Sequence, residues 1–137
     1  MTKVFCIKDL QNLPGFTQVK KDFLDYMSCD RSCAPSYFGK DVPYDKPKDA
    51  VLNDLWHMHL AHTPEDSRIE RPIVPWNHSQ PQIRRTSNKF LVYTRGEKDR
   101  DVYIILAIIF PRAHEKSQSI DHMNGLIKLA EQAKAHY

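Results

Sequence analysis

Little in this sequence announces a catalytic class by motif. There is no GxGxxG, no Walker loop, no HExxH and no GxSxG. Nucleotide hydrolysis, zinc proteolysis and α/β-hydrolase chemistry therefore lose their usual signals. Cysteine is scarce. Cys6, Cys29 and Cys33 are an odd number without a dense framework, which suits a reducing compartment. Cys29-x-x-x-Cys33 lacks the tight spacing of a zinc knuckle, and its partners would have to be distant histidines, so no metal or other cofactor is expected. No apolar run is long enough to span a bilayer. Met1-Thr2-Lys3 leads into a short apolar run broken by Lys8 and Asp9, so no secretory signal is expected and the cytoplasm is the expected location. Internal repeats and low-complexity tracts are also missing.

What is present is one globular unit. The 137 residues are 41% hydrophobic and 27% charged, enough for a single domain over 1–137 with a real core. The net charge of +3 is unevenly placed. Residues 1–80 carry 10 Lys+Arg against 11 Asp+Glu, and residues 81–137 carry 10 against 6. The basic half suits a polyanionic partner; a solvated surface face explains the charge equally well.

The most apolar stretch is Val102–Phe110, Val-Tyr-Ile-Ile-Leu-Ala-Ile-Ile-Phe. It has no polar alternation and is rich in β-branched residues, so it predicts a central strand buried on both faces. Pro111-Arg112-Ala113-His114-Glu115-Lys116 follows at once and delivers ionisable groups to one edge of the sheet. Thr2–Ile7 is a plausible first strand. Phe16, Val19, Phe23, Leu24 and Met27 recur at helical spacing, which predicts an amphipathic helix. Residues 29–47 read as irregular, with Pro35, Gly39, Pro43 and Pro47 as breakers. Leu55–Leu60 alternates, with Leu55, His57 and His59 on one face and Trp56, Met58 and Leu60 on the other. Its histidine face is either a wet strand face or the wall of a groove. Pro64–Pro81 reads as a long surface loop, in which Trp76 is expected to anchor to the core. Phe90–Thr94 predicts a strand joined by a hairpin at Arg95–Asp101 to the apolar strand. Ser119 is an N-cap for a last helix reaching His136, with Met123, Leu126, Ile127, Ala130 and Ala133 as its apolar stripe. The order predicts a small α+β domain with a mostly antiparallel sheet and N-terminal and C-terminal helices packed on it.

Three segments carry candidate chemistry: His57 and His59; Arg84, Arg85 and Lys89; and Arg112, His114 and Lys116. Neighbouring strands lie about 4.8 Å apart, so these segments can converge. Histidine beside arginine and lysine suits RNA phosphodiester cleavage. One imidazole takes the 2′-OH proton, another protonates the leaving oxygen, and cations offset the charge on the phosphorane. No metal is needed, because the nucleophile is already in the substrate.

Several short segments, in their order and spacing, resemble the RelE/ParE superfamily and more closely the YafO-type toxins of bacterial type II toxin–antitoxin systems. They are Asp22-Phe23-Leu24-x-Tyr26, Phe38-Gly39-Lys40-Asp41 with Tyr44-Asp45, His57-x-His59-Leu60-Ala61, Arg85-Thr86-Ser87-Asn88, Leu91-Val92-Tyr93, Ile105-Leu106-Ala107-Ile108 with Pro111-x-x-His114, and Met123 with Lys128-x-Ala130-Glu131. The resemblance covers roughly 20–137. It implies a RelE-like fold and an mRNA interferase acting at the ribosome, with mRNA and a cognate antitoxin as partners. It also implies His114 as the leading catalytic residue, with His59, His57, Arg85 and Tyr93 beside it and Arg112 and Lys116 as phosphate-binding support; Arg84 and Lys89 are RNA-binding candidates by their charge beside that set. Phe90 stands where RelE relatives often have arginine. ParE relatives inhibit gyrase instead, so a non-enzymatic inhibitor of gyrase or the ribosome is the alternative, and a metal-dependent nuclease is a third.

Overall fold

The computed structural model describes residues 1–137. Five strands form one sheet in the order β1-β5-β4-β3-β2. They are β1 (Lys3–Cys6), β2 (Phe38–Pro43), β3 (Trp56–Leu60), β4 (Phe90–Arg95) and β5 (Val102–Ile109). Only β1 with β5 is parallel; the other three pairings are antiparallel. The expected α+β architecture with a mostly antiparallel sheet is what the chain forms. The apolar strand β5 is interior, between β1 and β4, while the middle position belongs to β4.

Each sheet face carries one long helix. On the first, α1 (Phe16–Ser28) buries Phe16, Phe23, Tyr26 and Met27 against Leu91, Tyr93, Tyr103 and Ile105. On the second, α5 (Ile120–His136) buries Met123, Leu126, Ile127 and Ala130 against Phe90, Val92, Ile104 and Leu106. Alternation along β4 and β5 supplies both cores, and each large side chain so buried contributes about 1.5–3 kcal/mol. The predicted cap is present: Ser119 Oγ accepts from the His122 amide at 3.3 Å. No helix is long and apolar enough to cross a membrane.

The irregular stretches hold more structure than their composition suggests. Strand β2 lies within residues 29–47. It is an edge strand, where Pro43 removes no ladder bond that matters. Gly39 is required there, because a Cβ would run into the Arg85 carbonyl and the Trp76 ring. The loop expected at Pro64–Pro81 begins with a helix, α3 (Pro64–Ile69). Thr63 Oγ1 accepts from the Asp66 amide at 3.0 Å and Asp66 returns a bond to the Thr63 amide at 2.9 Å, a complete capping box. Because α3 buries no residue, it has no apolar stripe to read. Trp76 is half-buried, and its indole N–H donates to the Ser36 carbonyl at 2.9 Å. Short helices α2 (Lys48–Leu52) and α4 (Ala113–Gln118) complete the chain.

Candidate active site: a histidine-lined cleft beside the C-terminal helix

Alternation on β3 sends His57 and His59 to the face that also carries α5. In register, His59 lies opposite Phe90 and His57 opposite Val92 on β4. The His57 ring stacks on Tyr44 at 4.2 Å, and Phe90 sits 5.0 Å from His57 and 4.5 Å from His59, centroid to centroid. The two imidazoles are 5.8 Å apart. Phe90 therefore dries the histidine pair instead of charging it.

Beyond β5 the chain turns sharply. Arg112 takes a left-handed conformation (φ 56°) and opens α4. His114, in the first turn, is exposed and lines the same cleft of about 540 Å³ as His57 and His59. Lys40 and Lys46 also line it, together with Asp45, Glu115 and the polar run Thr86-Ser87-Asn88.

Burial governs the electrostatics. Desolvation, reinforced by the charge on Lys40, pushes His57 down to about 4. Desolvation and then the neighbouring His57 push His59 down to about 4. Both are neutral at pH 7. The Ser87 amide lies 2.8 Å and the Ser87 carbonyl 3.0 Å from His59 Nδ1, so the Ser87 peptide holds the ring through that nitrogen. His57 Nδ1 is buried with no hydrogen-bond partner. A half-buried and a buried neutral imidazole, the first with an unpaired nitrogen, thus share the cleft with an exposed imidazole and two lysines, a set that can bind an anion.

Three of the expected catalytic residues meet in this cleft and two do not. Arg85 is buried, and its guanidinium donates to the carbonyls of Phe38 (2.9 Å), His78 (3.2 Å) and Gln80 (3.3 Å). It clamps β2 to the 70s loop and does not line the cleft. Tyr93 lies on the opposite face of the sheet. Its hydroxyl donates to Asp41 at 2.8 Å and accepts from Arg31 at 3.2 Å, and burial raises its pKa well above the ordinary value. Among the expected RNA-binding residues, Lys89 is tied to Asp66 at 2.5 Å, Arg84 and Arg112 are exposed, and Lys116 is half-buried. None of these four lines the cleft. The cations that do, Lys40 and Lys46, went unread because residues 29–47 looked irregular. The alternation of Phe38-Gly39-Lys40-Asp41 is the available signal for Lys40, masked by its glycine; Lys46 lies beyond β2 and has none.

Candidate metal ligands do not cluster. No group of three or more His, Cys, Asp or Glu side chains is arranged to hold an ion. Cys29 and Cys33 are joined in a disulfide rather than free as half of a metal site, leaving Cys6 as the free thiol.

The site is thus a cleft lined by three histidines, two lysines and two carboxylates on one face of a small α+β sheet. The family described as "Toxin YafO, type II toxin–antitoxin system" matches residues 22–135, and the chain belongs to it. It is also 29% identical over 112 residues to the mRNA interferase toxin YafO of Escherichia coli (strain K12), covering 78% of each chain. No solved structure matches it.

Proposed function

We propose that this protein is an endoribonuclease toxin that cleaves mRNA in association with the ribosome, arrests translation, and is neutralised by a cognate antitoxin. The observation that carries the reading is the convergence of His57, His59 and His114, from β3 and α4, on one cleft with Lys40 and Lys46. Family membership and the name of the E. coli relative support it.

The chemistry follows from the environments. His114 is exposed on the cleft and serves as the proton carrier of the site. His59 is held neutral by burial and serves as an uncharged hydrogen-bonding partner to the scissile phosphate or its leaving oxygen. His57 completes the dry wall against which the phosphate rests. Lys40 and Lys46 offset the charge that builds as the 2′-oxygen attacks phosphorus. The O2′–P bond forms, the P–O5′ bond breaks, the 2′-proton passes to a base and O5′ receives one from an acid. An acidic antitoxin segment over this face would mask the charges that attract RNA.

The test is to induce the protein in cells and map RNA 5′ ends. Cleavage within translated mRNAs is expected, and it should disappear in His114→Ala and in His59→Ala. If both variants stay fully toxic, this site is wrong. Full activity of the purified protein on RNA in excess chelator would remove a metal-dependent nuclease as the alternative.

A further inference from the structure

The segment before β4 ties the two candidate proton-handling elements together through adjacent residues. The Ser87 peptide meets the His59 ring: its N–H donates to Nδ1 at 2.8 Å, and its carbonyl lies 3.0 Å from the same atom. The next residue, Asn88, meets α4. Its side-chain Oδ1 accepts from the His114 amide at 2.7 Å, and its carbonyl accepts from the Ala113 amide at 3.2 Å.

These two bonds do a specific job. The first N–H groups of any helix lack partners within it and need a cap. The residue in the capping position of α4, Arg112, is left-handed and makes no side-chain cap bond. Asn88 supplies that cap from another element, satisfying two first-turn donors at once. The strap carrying it is itself fixed. Ser87 Oγ bonds the Lys89 carbonyl at 3.0 Å, the Lys89 carbonyl accepts from the Leu60 amide at 2.9 Å, and the Arg85 carbonyl accepts from the Lys40 amide at 2.8 Å.

We propose that Asn88 is a positioning residue for the cleavage reaction: it caps α4 from outside and so sets His114 at its working separation from His59, which the adjacent Ser87 peptide holds. This rests on the functional reading above. A six-residue helix has little stability of its own, so without its cap the first turn frays and His114 loses its fixed place. Substrate binding, which depends on Lys40, Lys46 and the histidine wall, is left largely intact.

The experiment measures cleavage of a reporter mRNA by purified protein in a translation reaction, over a range of mRNA concentrations. Asn88→Ala should lower kcat about 10–100-fold, within the range that misplacing a catalytic group costs, with KM within about twofold. Asn88→Asp keeps an oxygen acceptor at the same place and should restore most of the rate. Hydrogen exchange at the His114 amide, read by NMR on the free protein, should speed up in Asn88→Ala and return towards wild type in Asn88→Asp. An unchanged kcat in Asn88→Ala, or a loss in Asn88→Asp as deep as in Asn88→Ala, overturns the proposal. A loss confined to KM also overturns it. The exchange measurement needs no activity, so an inactive wild-type protein counts against the functional reading while the cap is still judged: unchanged His114 exchange in Asn88→Ala sinks it.

Discussion

The two faces of the sheet each carry a cluster of polar side chains, and the two clusters are built on opposite principles. Neighbours on β2 make the contrast sharp: Lys40 lines the histidine cleft, and Asp41 points through to the other face. There Asp41, with its side chain 2% exposed, accepts from Tyr26 at 2.7 Å, Tyr93 at 2.8 Å and Arg31 at 3.3 Å. Gln82 adds a bond to the Tyr26 hydroxyl at 2.9 Å, and the Arg31 guanidinium lies 4.5 Å from the centre of the Trp56 ring. The Asp41 carboxylate and both tyrosine hydroxyls are paired within that cluster. On the cleft face, His57 keeps an unpaired nitrogen, His114 stays solvated and the lysines form no ion pair. A closed polar network stabilises a fold, and an open one is left to meet a ligand. Strongly displaced pKa values occur on both faces, so displacement alone does not identify the functional cluster.

The comparison can be broken at several points. Asp41→Ala should have the largest effect on stability, about 3 kcal/mol, because it strands a half-buried guanidinium and two buried hydroxyls. Urea unfolding should show a lower midpoint with an unchanged slope. The cleft histidines should give an effect that is absent at pH 7 and grows as pH falls. Their folded values near 4 lie below the usual 6.5, so below pH 6.5 the unfolded chain binds protons that the folded chain refuses. Stability is therefore complete above about pH 6.5 and falls as pH drops towards 4, by at most about 1.4 kcal/mol per pH unit for each histidine. Urea midpoints at pH 7 and pH 5 measure the fall, and His59→Asn should shrink it. Tyr93→Phe should cost least, about 1 kcal/mol, since the ring stays and two hydrogen bonds go.

Much of this was legible in the chain. Strand β5 and helix α5 could be read because each buries a long apolar pattern. Strand β3 could be read because its alternation is clean, which also put both histidines on one face. The short pieces were not legible. Helix α3 buries nothing, and β2 is an edge strand interrupted by glycine and proline. The site divided in the same way. His114 follows from its place beyond β5, and the resemblance to YafO-type toxins supplied the reaction. Tyr93 could not be placed without the register. It pairs with Trp56, so it shares the face that His57 and His59 avoid. Arg85 looked like free charge because the carbonyls that bind it include Phe38, 47 residues away.

The central claim is that the histidine cleft, and not the tyrosine–aspartate cluster behind it, does the chemistry. Initial rates of mRNA cleavage for His114→Ala and Tyr93→Phe, measured side by side with confirmed folding, test it most directly. His114→Ala should lose about 10²–10⁴-fold, the usual contribution of a proton-transfer group, while Tyr93→Phe stays within about threefold of wild type. A Tyr93→Phe protein that folds but does not cleave, beside an active His114→Ala, would contradict the account.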